Sequence, residues 1–173
     1  PGHYARGFHP TATCGTIGAS LGLATLLGVD KSAYLDVLSI ATVSAAGSLK
    51  VIEDDSQIKP FNVANAAMNG LYAVRLGISR FKGTKDPLGG SAGFLNMMTD
   101  QWSVNKLIRN STDALLIHSV YFKPYAACRH AHAPIEAALR LRNQWKVNPD
   151  SIQEINVYVY NTIIGKHDGK VIH

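Results

Sequence analysis

The chain has 173 residues, enough for one domain of ordinary size with its own core. Charged residues make up 17% and apolar residues 46%, which excludes a disordered, solvating chain. Residues 1–100 hold 8 basic and 7 acidic groups and residues 101–173 hold 9 and 5; with no Lys/Arg run, the surplus points to a local anion site and against nucleic acid as a partner.

Three helical patterns occupy the first hundred residues. The first runs from Pro10 to Leu27, with Pro10 suited to a first turn and Gly28 to the stop. Its small residues recur one turn apart, Gly15 with Ala19 and Gly18 with Gly22, so neighbouring helices can approach closely. Pro10 to Val29 carries no charge and is nominally long enough to span a bilayer, but half of it is Gly, Thr, Ser, Cys or Pro, and no Lys/Arg belt flanks it. A buried helix in an all-helical core is the better reading, with no membrane as partner. The second pattern runs from Lys31 to Ala46, capped by Asp30, with Leu35, Leu38, Ile40 and Thr42 expected on the buried side and Gly47 as the end. The third runs from Lys59 to Leu76, with Val63, Ala67, Leu71 and Val74 on one apolar face and Gly77 as stop. A Gly/Pro-rich connector from Lys82 to Gly90 then breaks the rhythm.

After residue 100 the period changes. Leu115 to Phe122, rich in β-branched and aromatic residues, predicts a strand. Ala133 to Trp145 predicts a helix with Pro134 in its first turn. Ile152 to Tyr160 alternates, Ile155, Val157 and Val159 against Asn156, Tyr158 and Tyr160, and predicts a second strand. The expected fold class is mainly α: the end of an all-helical domain (1–100) followed by the start of a smaller α+β domain (101–173). Cys14 and Cys128 form no CxxC or zinc spacing and point to a reducing compartment, and Pro1 to Tyr4 has neither the basic nor the apolar part of a signal peptide. A cytoplasmic setting follows as an expectation. Pro1 in place of Met, and an end at His173 without an obvious terminator, predict a fragment of a longer protein.

Three places carry chemistry. Lys59 opens a helix, where a cation opposes the helix dipole. Asn62, Asn65 and Asn69 extend from it as one polar stripe, either a binding wall or a solvated face. His9 stands just before the first helix, where a helix N-terminus lowers an imidazole pKa and suits it to proton transfer near neutrality; capping or packing is the alternative. The densest cluster runs from Tyr121 to His132, with Lys123, Cys128, Arg129, His130 and His132 before a helix start that favours anions. There Arg129 could grip a carboxylate bidentately while Lys123 and His132 move protons. His130 and His132 lack the further ligands a metal needs, so no metal is expected; a His132–Glu136 pair at i, i+4 is a bland alternative. Asn110-Ser111-Thr112 matches a glycosylation sequon, read as accidental without a secretory signal.

Four ordered blocks resemble one family. Gly7-Phe8-His9-Pro10-Thr11 running into a Gly/Ala-rich helix and Leu26-Leu27-Gly28, then Lys59-Pro60-Phe61-Asn62-Val63-Ala64-Asn65-Ala66-Ala67 with Gly70, then Leu88-Gly89-Gly90-Ser91-Ala92-Gly93-Phe94, then Lys123-Pro124-Tyr125 through Cys128-Arg129-His130-Ala131-His132 are similar to the MmgE/PrpD family. That family includes 2-methylcitrate dehydratases, cis-aconitate decarboxylases and iminodisuccinate epimerases. The resemblance implies a cofactor-free enzyme, usually a homodimer, with a large helical domain, a smaller α+β lid and the active site between them. It places His9, Lys59 and Lys123 in the substrate pocket as catalytic residues, with His132 and Arg129 in the lid motif, and Asn62, Cys128 and Arg129 as substrate-binding. Three positions depart from the pattern: Asn62 stands where many members have His, Gly89 where many have Glu, and Cys128 where the decarboxylase branch carries His.

The expected function is therefore a lyase or isomerase acting on a small di- or tricarboxylate. Cations would hold carboxylates and stabilise an aci-carboxylate, while His9 or a Lys of depressed pKa moves the α proton. A 2-methylcitrate dehydratase-like hydro-lyase ranks first, an epimerase second and a decarboxylase third. The rival class is a non-catalytic family fragment that keeps the fold and dimer surface.

Overall fold

In the computed structural model, which describes residues 2–52, 57–108 and 114–160, helices dominate as expected. The sequon and the C-terminal run from Gly165 to His173 lie outside the described residues. The chain divides into two units, Pro1–Arg109 and Asn110–His173.

In the first unit a short α1 (Gly2–Ala5) leads into α2 (Pro10–Leu26), α3 (Lys31–Ser44) and α4 (Lys59–Ile78), followed by a brief α5 (Phe94–Met98). Gly28 ends α2 at φ +62; its N–H donates to Thr25 O (3.1 Å) and that of Val29 to Ala24 O (3.0 Å), the paired bonds of a Schellman turn. The Asp30 carboxylate caps α3 by accepting the Ser32 and Ala33 N–H groups at 3.0 and 3.1 Å. The α4 stop differs from expectation. Gly77 lies inside the helix, and the left-handed residue is Arg80, at φ +62, with Arg80 N–H on Gly77 O (3.0 Å) and Phe81 N–H on Leu76 O (3.1 Å). The strain of a left-handed arginine is offset by its guanidinium, which lies 3.0 Å from the Asp30 carboxylate and donates to the Ser32 hydroxyl at 3.0 Å.

Gly77 is where it is because α3 and α4 touch there: an added Cβ would sit 2.5 Å from Val37 Cγ2 and 3.1 Å from its backbone N. Gly70 does the same against α2, where a Cβ would meet Ala19 Cβ at 2.7 Å and Ser20 N at 3.1 Å. Of the two small-residue stripes on α2, the Gly15–Ala19 stripe faces α4, while Gly18 and Gly22 meet nothing within 4 Å. Small residues thus draw the three helix axes together, and that changes the expected faces in part: Val74 is buried as expected and Leu38, Ile40 and Thr42 are half-buried, but Leu35, Val63, Ala67 and Leu71 are exposed. The buried side of α3 is Ala33, Asp36, Val37, Ser39 and Ala41, with Leu35 exposed. On α4 it is Asn62, Ala66, Gly70, Ala73, Val74 and Gly77, while Val63 and Leu71 are 57% and 51% exposed. Close approach leaves room inside for nothing larger than valine, so backbone contact replaces bulk there.

The connector after α4 is tied to α3. Gly83 N–H donates to Asp36 at 3.0 Å, Thr84 N–H to Ser39 Oγ at 2.8 Å, and Lys82 Nζ lies 3.4 Å from the Asp36 carboxylate. These bonds, that from Gly83 first, hold the Asp36 carboxyl below its ordinary pKa. Farther on, Phe94 and Met98 form a second small core with Ala45, against Phe8 and Ile17.

The second unit contains α6 (His132–Trp145), one residue longer at its start than expected, preceded by a 3₁₀ turn at Arg129–Ala131. Both expected strands are corrected. Leu116–Ser119 is a 3₁₀ turn, and residues 152–160 enter no ladder. A strand exists through its partner, and the one bridge among the described residues joins Phe8 to Ser48. Alternation alone therefore gave no sheet: residues of both alternating sets, Val157 and Val159 as well as Tyr158 and Tyr160, line a groove with Ala137 and Leu141 of α6. Among the described residues, no helix is long and apolar enough to cross a membrane.

Candidate functional site

The first unit brings His9, Asn62 and Lys59 together. His9 precedes α2 and is only 8% exposed. Its backbone is fixed by a short antiparallel crossing in which His9 N–H donates to Gly47 O (3.0 Å) and Leu49 N–H to Gly7 O (2.7 Å). The crossing passes directly over α2: a Cβ on Gly47 would sit 2.2 Å from Ala12 Cβ. Asn62, in the first turns of α4 and 5% exposed, places Nδ2 2.8 Å from His9 Nδ1 and 3.5 Å from Ser48 O. His9 Nε2 carries no protein hydrogen bond among the described residues.

Burial and, after it, the Lys59 ammonium push the His9 imidazole below its ordinary pKa, so it is neutral at pH 7. Lys59 itself is half-buried at the first position of α4, with Pro60 next, a start that needs no side-chain cap. Asn69 follows two turns on and donates to Ser44 O at 3.3 Å, satisfying the last carbonyl of α3. The Asn stripe therefore faces protein at Asn62 and Asn69. Gly47 and Ser48 are site residues that sequence reasoning missed: Gly47 was expected to stop α3, yet α3 ends at Ser44 and Gly47 makes the close crossing instead.

The second unit gathers the other candidates around the carbonyl of Ala127. Lys123 Nζ donates to it at 3.4 Å and His132 Nε2 lies 3.3 Å from it. His132 is 2% exposed and packs edge-on against Tyr125 at 5.3 Å between ring centroids. Its Nδ1 is buried without a hydrogen-bond partner among the described residues, a polar atom left ready for a donor or acceptor. Arg129 is exposed and lies 5.1 Å over the Tyr121 ring, and its guanidinium pairs with no carboxylate among the described residues. Cys128 is half-buried with a free thiol. The His132–Glu136 pair does not form; Glu136 is bridged by Arg140 one turn on. Lys123, Cys128, Arg129 and His132 thus fall within the ten residues that lead into and open α6, all in the second unit, whereas His9, Asn62 and Lys59 belong to the first.

Chemically, the first group offers a neutral imidazole beside an ammonium, and the second two cations beside a buried ring nitrogen. Both suit an anionic, carboxylate-bearing ligand. A cis-aconitate decarboxylase of Homo sapiens is 34% identical over 87 residues, 50% of this chain and 18% of that protein. The mouse protein of the same name is 33% identical over 87 residues, 50% of this chain and 17% of its own length. A cis-aconitate decarboxylase of Aspergillus terreus is 25% identical over 176 residues, taking in 95% of this chain and 36% of that protein. The chain thus spans about a third of the length of the fungal relative. Residues 1–106 match the MmgE/PrpD N-terminal domain and residues 125–171 the MmgE/PrpD C-terminal domain. With both domain signatures in order, and with His9, Lys59 and Lys123 inside or beside them, the chain belongs to the MmgE/PrpD family.

Proposed function

We propose that the complete protein is a lyase acting on a small di- or tricarboxylate by proton transfer next to a carboxylate. One observation supports the reading: a buried neutral imidazole and a half-buried ammonium, 50 residues apart in sequence, lie close enough to interact, the Asn62–His9 contact tying the imidazole to the helix that Lys59 opens. A carboxylate substrate gives that ammonium its counter-ion, and the negative charge that develops on loss of a proton or of carbon dioxide gives the imidazole its partner. Within the second unit, Lys123 and Arg129 offer a carboxylate ligand two cations of their own, and His132 Nδ1 a polar contact. A lysine stripped of water by the bound substrate supplies the proton transfer.

Among the reactions of the family, dehydration of a 2-methylcitrate-like hydroxy acid ranks first. Decarboxylation, the activity in the names of the relatives, ranks second and passes epimerisation on that ground; Cys128 in place of a histidine stands against it. A homodimer and a cytoplasmic setting belong to the proposal on the strength of the resemblance and of the isolated cysteines. Proton NMR of the complete protein in D2O with 2-methylcitrate, citrate, cis-aconitate and succinate derivatives tests it. Alkene appearance with loss of a C–H signal supports dehydration, and formation of a shortened dicarboxylate supports decarboxylation. Exchange without net conversion moves the assignment to epimerisation, and no change with any member of the panel rejects the lyase.

A further inference from the structure

We infer that Asn62 is the positioning residue of this site: it holds His9 as the neutral tautomer protonated on Nε2, which makes the imidazole a hydrogen-bond donor to a developing oxyanion and not the group that takes or delivers the proton. The inference deepens the lyase reading and rests on it for the identity of the oxyanion. The tautomer itself does not depend on that reading.

Asn62 Nδ2 faces two acceptors, His9 Nδ1 at 2.8 Å and the Ser48 carbonyl at 3.5 Å. An amide nitrogen has two hydrogens and no available lone pair, so this orientation serves both contacts; turning the amide over would set Oδ1 against the Ser48 oxygen. The Gly47 backbone closes over the same amide, so near that a Cβ there would lie 3.4 Å from Oδ1. Asn62 is buried, and the geometry is held by three separate segments: α4, the 47–49 crossing and the entry to α2.

Facing a donor, His9 Nδ1 must present its lone pair. The single proton of the neutral ring then sits on Nε2, the nitrogen with no protein partner among the described residues. Three consequences follow. The ring is no general base through Nε2, because that nitrogen has no free lone pair. It is a poor general acid, because giving up the Nε2 proton would leave an imidazolate. The imidazolium is disfavoured as well, since its Nδ1–H would point at the amide hydrogens. What remains is a neutral N–H aimed at negative charge, which stabilises an enolate or aci-carboxylate oxygen without net proton transfer. Proton movement then falls to the lysines.

The test uses the complete protein labelled with ¹⁵N in histidine, with the His9 signals assigned by their loss in His9→Gln. At about pH 8, above the ordinary imidazole range, two-bond proton–nitrogen correlation should show Nδ1 with the shift of an unprotonated nitrogen and Nε2 with that of an N–H. Asn62→Asp replaces the donor by an acceptor and should move the proton to Nδ1, with kcat falling by about 10²-fold, the scale for losing one oxyanion donor. A wild-type spectrum with Nδ1 protonated overturns the inference without any variant, so a misfolded Asn62→Asp does not shield it. A tautomer that switches in the variant while kcat stays unchanged overturns the oxyanion role. The expected wild-type tautomer, in a protein that turns over no carboxylate of the panel, upholds the positioning and rejects the lyase reading instead.

Discussion

The two units hold their reactive side chains in opposite ways. In the first, His9 and Asn62 are buried, bonded to each other and pinned between three segments of backbone. In the second, Lys123 and Arg129 lie exposed on the short segment that leads into α6, held by a long hydrogen bond and a ring contact, and His132 is the one buried side chain of α6. The difference teaches that a preorganised site needs elements that cross. Where chain segments distant in sequence meet, orientation is set by packing; where neighbours in sequence share a turn, only their order along the chain is set.

The largest effect that would break this contrast lies in the helix seam. Gly70→Val should destabilise the first unit by about 3 kcal/mol or more, because its Cβ alone meets backbone and Ala19 at contact distance. Its neighbour Leu71→Ala, on the exposed face, should stay within about 0.5 kcal/mol. Denaturant melts of the two variants check this directly, and equal losses would mean that the apolar face is the true core. Next in size, Lys59→Ala and Lys123→Ala should each lower turnover of the complete protein by about 10²-fold or more with little change in melting temperature. A matching fall in stability for either would assign that lysine to the structure and not to the chemistry.

How much of this was legible in the sequence depends on the range of the signal. Pro10, Gly28, Asp30 and Lys59-Pro60 mark helix ends through their own backbones, and the structure puts ends there. The inward faces were misread in part, Val74 being buried as expected, because a rule that sends large apolar residues inside fails where glycine and alanine bring helix axes together; Leu35, Val63 and Leu71 were displaced by Val37, Ala66 and Gly70. The strands at 115–122 and 152–160 were misread for a different reason: alternation reports a surface, whereas pairing is non-local. The candidate residues His9, Asn62 and Lys59 stood out individually, by position and composition. Their adjacency did not, because it is made by the contact of Asn62 with His9 beside the Gly47 crossing, which no local pattern encodes.

Smaller effects sharpen the comparison. Asp30→Ala should lower the melting temperature by a few degrees, since it removes the α3 cap and the partner of Arg80 together. The Asp30 carboxyl, drawn down to about 2 by the Ala33 and Ser32 N–H groups and then by Arg80, keeps that contribution until the solution is strongly acidic. His9 acts at milder pH. Its folded pKa lies below the unfolded value, so between the two the unfolded chain binds more protons; the contribution is complete above about pH 6.5 and is lost as pH falls through the folded value. Thermal melts at about pH 7.5 and about pH 5 should therefore differ less in His9→Gln than in the wild type, and an unchanged difference would show that His9 titrates as it does in the unfolded chain. Smallest of all, Arg80→Gly exchanges the Asp30 contact for an unstrained left-handed residue, and its melting temperature should stay close to that of the wild type.

The seam of glycine, alanine, serine and threonine between α2, α3 and α4 also has a calorimetric consequence. Unfolding raises the heat capacity in proportion to the apolar surface newly wetted, about 12–15 cal/mol/K per residue in ordinary domains. Here the buried side chains are small, and many of the large ones, Phe61, Val63, Leu71 and Tyr72 among them, already face solvent in this chain. The first unit should therefore unfold with a heat-capacity change below that range, giving a broad, shallow dependence of stability on temperature and little tendency to denature in the cold.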